Sequence, residues 1–122
     1  MATILVIEDD DSVRGLLAYW LKRAGHKVRE ASDGAAGMKA IEAQPADVVV
    51  CDLFMPNKEG LETIPELRRR FPTAKVVAIS GGSYDYDFLP TAKLLGAHLT
   101  LRKPFNGDLL LDLIASVLPG GE

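Results

Sequence analysis

Short apolar runs alternate along the chain with longer segments in which apolar residues recur at helical spacing. Four runs are continuous, at 4–7, 48–51, 76–79 and 99–101, and a fifth, more polar one lies near 26–31. Continuous runs of this length are typical of strands whose two faces are both buried. The pattern therefore predicts five strands.

The segments between these runs predict five helices. From Val13 to Leu21, for example, apolar residues follow the i, i+3, i+4 rule of a helix with one buried face. Pro65 fits the third helix only near its first turn, because proline lacks the N–H that a later position donates. Asn106 or Asp108 can cap the last helix. The other predicted helices run from Asp33 to Ala43, Leu61 to Arg70, Pro90 to Leu95 and Leu109 to Leu118, with 81–89 as a long loop.

A strand followed by a helix, repeated five times, predicts an α/β fold. Parallel strands buried on both faces need helices on each side, and right-handed crossovers then favour a doubly wound sheet. The chain has 122 residues, which is the size of one domain. We expect that domain to span residues 1–119, with 120–122 as a C-terminal tail.

Composition and charge narrow the function classes. The formal net charge is −3 at pH 7, so no basic surface argues for nucleic acid or a membrane. No apolar run approaches the roughly 20 residues of a membrane span, and the first residues, MATILVIEDD, lack the features of a signal peptide. A single cysteine excludes an intrachain disulfide and suits the cytoplasm, where we expect the protein to act. Cys51 and Trp20 are expected in the core, and His26 and His98 are expected to be structural.

Polar side chains stand where the predicted strands end. Glu8 and Asp9 follow the first strand, Asp52 the third, Ser80 the fourth and Lys103 the fifth. Because parallel strands point the same way, these groups share the carboxyl edge of the sheet, which is where ligands bind in open α/β sheets. Four of the five predicted strands therefore deliver polar groups to one crevice.

The chemistry of this set indicates a cation and a phosphoryl group. Three carboxylates packed together repel one another unless a cation joins them, and oxygen donors without cysteine or histidine favour Mg²⁺. A carboxylate beside such an ion can attack phosphorus and form an aspartyl phosphate. Asp52, alone on a central strand, is the predicted nucleophile. Lys103 and Ser80 suit the phosphoryl oxygens.

Four motifs carry a resemblance to a known family. They are "VIEDD" after the first strand, "CDLFMPNKEG" after the third, "AISGG" at the fourth and "LRKPF" at the fifth. With these motifs in this order and spacing, the chain resembles a response-regulator receiver domain of two-component signalling over essentially its whole length. The resemblance implies a flavodoxin-like sheet with strand order 2-1-3-4-5.

The resemblance also implies roles for the site residues. Asp52 would accept a phosphoryl group from a phosphohistidine on a partner histidine kinase or histidine phosphotransfer protein. Asp9, Asp52 and the backbone carbonyl of Phe54 would ligate Mg²⁺, and Glu8, where the family more often has Asp, would act through a coordinated water. Lys103 would pair with Asp52 before phosphorylation and with the phosphate afterwards.

Further family features bear on switching and on phosphate lifetime. Ser80 would move to bond a phosphoryl oxygen, and Lys103–Pro104 would be a cis peptide. In the family, the fourth helix, fifth strand and fifth helix form the output surface. Thr100 stands where the family often has an aromatic residue that moves on phosphorylation. We therefore expect loop 81–89 to carry the conformational change instead.

Water would reach the phosphate past Phe54, Gly81 and Gly82. Phe54 is bulky and apolar, so we expect it to shield the phosphate, whereas the two glycines leave the site open.

Three function classes remain in view. The favoured one is a phosphorylatable signalling switch, which is not an enzyme in the ordinary sense although it supports its own phosphorylation and dephosphorylation. A Mg²⁺-dependent phosphatase of the haloacid-dehalogenase type needs a second carboxylate two residues after the nucleophile, where this chain has Phe54. A phosphorylation-independent pseudo-receiver usually lacks an acidic residue or the lysine, and this chain keeps them. The domain could stand alone or be part of a longer chain.

Overall fold

Five parallel strands form a single sheet in the computed structural model, which describes residues 2–53, 60–80, 89–103 and 105–118. The strand order is β2-β1-β3-β4-β5, with consecutive neighbours hydrogen-bonded in parallel. The elements are β1 (Thr3–Ile7), α1 (Asp11–Arg23), β2 (Lys27–Ala31), α2 (Gly34–Ala43), β3 (Val48–Asp52), α3 (Gly60–Arg70), β4 (Lys75–Ser80), α4 (Leu89–Leu95), β5 (Leu99–Arg102) and α5 (Gly107–Val117). The predicted fold class and the flavodoxin-like strand order are confirmed.

Each face of the sheet is covered by helices, so the core has two halves. One half packs β-strand residues such as Ile7 and Cys51 against α2, α3 and α4. The other packs Val6, Val50 and Ile79, among others, against α1 and α5. All five residues of β3 are buried, as the unbroken apolar run predicts.

Side chains at the helix starts fix where three helices begin. Asp10 accepts hydrogen bonds from two backbone N–H groups of the first turn of α1, and Asp33 accepts one from Ala36 in α2. Asn106, rather than Asp108, caps α5, where its Oδ1 lies 2.8 Å from the Leu109 nitrogen. These caps place α1 and α5 directly after β1 and β5, at the carboxyl edge of the sheet.

Of two expectations about single residues, the one for Pro65 is wrong and the one for Trp20 holds in part. Pro65 lies beyond the first turn of α3, because the helix begins at Gly60 and continues through the proline. The lost N–H bond is tolerated where Ile64 and Leu67, on either side, are fully buried and hold the helix to the sheet. Trp20 is half-buried and packs against the half of the core under α1 and α5, with its ring 6.2 Å from that of Phe105.

The two histidines lie at the opposite end of the strands from the acidic residues. His26 Nδ1 accepts a hydrogen bond from the Ala2 N–H at 3.3 Å, and His98 Nδ1 accepts one from the Val76 N–H at 2.9 Å. Burial lowers the pKa of both side chains, and nearby positive charges add to the effect. These contacts agree with the predicted structural role. Within the described ranges, no helix has both the length and the apolar character that crossing a membrane requires.

Candidate functional site

Three carboxylates meet at the carboxyl edge of the sheet. Ile7 pairs with Cys51 in the register of β1 and β3, so the next residues, Glu8 and Asp52, emerge side by side. One carboxylate oxygen from each of Glu8, Asp9 and Asp52 lies within 4.8 Å of the others. The sheet thus gathers three acidic groups whose positions in the sequence are up to 44 residues apart.

These acids differ in exposure. The Glu8 residue is 0% exposed and Asp52 is 5% exposed, whereas Asp9 lies at the surface. Two negative charges are therefore held largely away from water, where their mutual repulsion is screened less than it would be in solvent. The exposed Asp9 leaves the cluster open to solvent on one side.

Lys103 supplies a positive charge inside the cluster. Its backbone N–H donates to the Ser80 carbonyl at 2.7 Å, which continues the β4–β5 pairing by one residue. Its Nζ lies 2.7 Å from Glu8 Oε1 and 3.8 Å from Asp52 Oδ2. Burial opposes the charged form, but the hydrogen bond with Glu8 and the charge of Asp52 outweigh it and raise the pKa of Lys103 above its usual value.

The resemblance implies that Lys103 pairs with Asp52 before phosphorylation, and the structure shows a different first partner. The close contact is with Glu8, and Asp52 is more than 1 Å farther from the ammonium. A glutamate has one more methylene than the aspartate that the family resemblance leads us to expect at this position. The longer side chain places its carboxylate beside the lysine.

Every oxygen of Glu8 has a donor from the protein. Oε1 accepts from Lys103, and Oε2 accepts from the Asp10 N–H at 3.1 Å. The backbone carbonyl accepts from Arg14 Nη1 at 2.9 Å. Both carboxylate oxygens of Glu8 thus already accept hydrogen bonds from the protein.

Ser80 and Thr100 lie on the two strands nearest the lysine. Ser80 is the last residue of β4 and is 4% exposed. Asp52 pairs with Ile79, so Ser80 stands one residue farther along the neighbouring strand at the same edge. Thr100 pairs with Ala78, is partly exposed, and lies three positions before Lys103.

Several predicted site residues fall outside the described ranges. They are Phe54, Gly81, Gly82 and Pro104, together with loop residues 81–88 and the tail 120–122. The proposed carbonyl ligand, the access positions and the cis peptide therefore remain predictions.

Sequence reasoning did not single out Arg14, which contacts the site from α1. It lies three residues after Asp11 and six after Glu8, and a basic residue one turn into a helix usually indicates only an exposed ion pair. Nothing in the residue pattern distinguishes that arrangement from a contact with a strand-end carbonyl.

Comparison with known proteins identifies the family. The family model described as response regulator receiver domain matches residues 4–115, which is almost the whole chain. The chain belongs to the response regulator receiver domain family. It is 33% identical over its full length to the transcriptional regulatory protein AfsQ1 of Streptomyces coelicolor, and spans 53% of that protein.

Two further comparisons show that similar receiver domains occur in different proteins. Over 115 residues, 93% of the chain, it is 33% identical to the CAI-1 autoinducer sensor kinase/phosphatase CqsS of Vibrio cholerae, of which it spans 17%. The crystal structure of the receiver domain of NtrX from Brucella abortus superposes with a TM-score of 0.88 at 30% identity, covering 94% of this chain and 97% of that one. The chain thus spans about half of AfsQ1 and a smaller part of CqsS.

The acidic cluster fits the cation that receiver domains typically use, Mg²⁺. Its donors are carboxylate oxygens only, three of them converge, and one is open to solvent. A small, hard divalent ion prefers such oxygen ligands and keeps several waters of its own. The donor chemistry of the described residues therefore matches the family's metal.

Proposed function

We propose that this receiver domain is a phosphoacceptor in which Asp52 takes a phosphoryl group from the phosphohistidine of a histidine kinase or a histidine phosphotransfer protein. The observation that carries the proposal is the convergence of Glu8, Asp9 and Asp52 with Lys103 at one edge of the sheet. A phosphoryl-transfer site needs a nucleophile, a cation site and a donor for the phosphoryl oxygens, and these residues supply all three.

Asp52 is the carboxylate best suited to be the nucleophile. It ends the central strand β3, which pairs with β1 as far as Cys51 and with β4 through Asp52 itself. In the transfer, an Asp52 carboxylate oxygen bonds to phosphorus while the bond between phosphorus and the donor's imidazole nitrogen breaks. The electron pair leaves with the imidazole, and the product is an aspartyl phosphate.

Other residues of the site hold the cation and the transferred group. Asp9, Asp52 and the Phe54 carbonyl are the proposed ligands of Mg²⁺, with Glu8 acting through water. When bound, the ion neutralises negative charge on the carboxylates and on the incoming phosphoryl group. Lys103 and Ser80 then donate hydrogen bonds to phosphoryl oxygens.

The domain acts as a signalling switch rather than as an enzyme with a separate substrate. Phosphorylation adds about −1.5 to −2 charge and three acceptor oxygens at the strand edge. Ser80 and Lys103 can follow those oxygens, and the effect is read at the surface of α4, β5 and α5, which binds a downstream protein. Thr100, in the middle of that surface, replaces the aromatic residue common in the family. We place this activity in the cytoplasm.

The decisive experiment is phosphorylation by acetyl phosphate with Mg²⁺, followed by intact-protein mass spectrometry. We expect one labile phosphoryl group on the wild-type chain and none on Asp52→Asn. Asp108→Asn is a matched control, because Asp108 is an exposed acid in the first turn of α5. It should be phosphorylated like the wild type.

Two results would contradict the proposal. Uptake that persists in Asp52→Asn would place the phosphoryl group elsewhere. A wild-type chain that accepts no phosphoryl group, from acetyl phosphate or from a phosphohistidine donor, would be a phosphorylation-independent binding module.

A further inference from the structure

Arg14 connects three segments next to the acidic cluster. Its Nη1 donates to the Glu8 carbonyl at 2.9 Å, and its Nη2 lies 2.5 Å from Asp11 Oδ1. Its Nε lies 3.4 Å from Glu30 Oε1, on the neighbouring strand β2. Only 17% of the Arg14 side chain is exposed, although it belongs to the second turn of a surface helix.

The contact with the Glu8 carbonyl is the one that bears on the site. That carbonyl belongs to the peptide between Glu8 and Asp9, so its orientation sets the directions in which both side chains leave the backbone. The N–H on the other side of Glu8 donates to the Ala31 carbonyl of β2 at 3.0 Å. The residue is thus held from β2 through its N–H and from α1 through its carbonyl.

The arrangement depends on the shape of the guanidinium group. Arginine carries five N–H donors in a rigid plane and can address three acceptors in different directions, whereas the single ammonium of lysine cannot reproduce this geometry. The pair with Asp11 contributes little by itself, because Asp11 is 88% exposed and solvent screens such a pair. It orients the guanidinium toward the buried carbonyl.

We infer that Arg14 is a positioning residue for the acidic site. By holding the peptide between Glu8 and Asp9, it keeps Asp9 within reach of Asp52 and so sets the affinity of the site for a divalent cation. This inference rests on the proposed function, because the cation matters to phosphoryl transfer at Asp52.

The sign of the effect separates positioning from simple electrostatics. Arg14→Gln removes a positive charge near three carboxylates, and charge alone would make Mg²⁺ bind more tightly. Loss of the carbonyl contact frees the peptide and should weaken binding. Since loss of a residue that orients metal ligands typically lowers affinity by at least tenfold, we expect the Mg²⁺ dissociation constant of Arg14→Gln to rise by about tenfold.

The experiment measures Mg²⁺ affinity by isothermal titration calorimetry, with circular dichroism to verify folding. Arg14→Lys keeps the charge but loses the planar set of N–H donors, so it should also bind Mg²⁺ more weakly than the wild type. Arg23→Gln is the matched control, because it removes the same charge from an exposed position of the same helix. It should bind Mg²⁺ like the wild type.

A second readout separates affinity from chemistry. The rate of phosphorylation by acetyl phosphate should reach half its maximum at a higher Mg²⁺ concentration in both Arg14 variants. At saturating Mg²⁺ the rate should return close to that of the wild type, because Arg14 does not touch the reacting atoms. A purely structural role would lower stability and leave the Mg²⁺ dependence unchanged.

The possible outcomes are distinguishable. If Arg14→Gln binds Mg²⁺ as well as or better than the wild type, the inference fails while the proposed function stands. If Arg14→Gln does not fold, Arg14→Lys gives the same decision, and unchanged affinity there overturns the inference. If the wild type itself takes up neither Mg²⁺ nor a phosphoryl group, the proposed function fails.

Discussion

Replacing Lys103 with methionine tests whether the lysine is the internal counter-ion of the acidic site. Methionine keeps a long, unbranched side chain but removes the ammonium, which lies 2.7 Å from Glu8 Oε1 and 3.8 Å from Asp52 Oδ2. We expect two opposite effects. The metal-free protein should become less stable, and Mg²⁺ should bind more tightly.

The loss of stability can be bounded from the geometry. Breaking a buried ion pair by removing one partner typically costs about 3–5 kcal/mol. The Glu8 side chain is 1% exposed, but that of Lys103 is 24% exposed, so solvent screens part of the interaction. We therefore expect the free energy of unfolding without Mg²⁺ to fall by about 2–3 kcal/mol.

The gain in affinity follows from the removed charge. In water, a unit charge and a divalent ion about 4–6 Å apart repel each other by about 1.4–2 kcal/mol. Since the site opens to solvent at Asp9, we use this solvent-screened value for the repulsion that Lys103→Met removes. Mg²⁺ should then bind about 10- to 30-fold more tightly to Lys103→Met than to the wild type.

Urea unfolding followed by circular dichroism, with and without Mg²⁺, measures the first effect, and calorimetric titration measures the second. Lys75→Met is the control, because it makes the same change of net charge at the other end of β4, about 16 Å from Ser80. The reasoning is refuted if Lys103→Met binds Mg²⁺ no more tightly than the wild type, or if Lys75→Met reproduces both effects.

Three other predictions concern a histidine, a glycine and the access position. Burial lowers the pKa of His98 below 6.5, so protonation favours the unfolded chain and the free energy of unfolding should fall as the pH drops below that value. In His98→Asn the new side-chain oxygen can still accept the hydrogen bond from the Val76 N–H, and urea unfolding should show a smaller fall with pH. Gly37→Ala should cost about 1–3 kcal/mol by urea unfolding, because its Cβ would lie 2.8 Å from Ile7 Cγ1; unchanged stability would contradict this. Phe54→Asn should change the hydrolysis rate of the phosphorylated domain, measured by phosphate release, and an unaltered rate would show that Phe54 does not shield the phosphate.

Much of the fold was predictable because the three central strands, β1, β3 and β4, are buried on both faces. An unbroken apolar run such as 48–51 has few structural alternatives, and the observed β3 extends it by one residue, to Asp52. The same reasoning predicted which polar groups share the carboxyl edge, since parallel strands end on one side. The bounds of α3 were predicted to within one residue, from Leu61 to Arg70 against the observed Gly60–Arg70, and the error was the position of Pro65 within that helix.

The contacts between the site residues were harder to predict than which residues form the site. Residue types at strand ends indicate that Lys103 joins the carboxylates, but not which one it contacts. That choice depends on side-chain length and rotamer, and here the extra methylene of Glu8 decides it. Arg14 was missed for a related reason: its critical acceptor is a backbone carbonyl, which leaves no trace in the sequence.

The contact between Glu8 and Lys103 has a consequence for phosphorylation. An ammonium has three donors, and Glu8 Oε1 occupies one of them at 2.7 Å. The other donors remain available to oxygens on the Asp52 side, 3.8 Å away. Lys103 can therefore stay bound to Glu8 while it donates to a phosphoryl group on Asp52, without first breaking its close ion pair. A shorter aspartate at position 8 would reach the ammonium less readily and leave the lysine to Asp52 in the resting state. We therefore expect the glutamate to keep the lysine between the two acidic groups before and after transfer, and the movement proposed for phosphorylation to begin at Ser80.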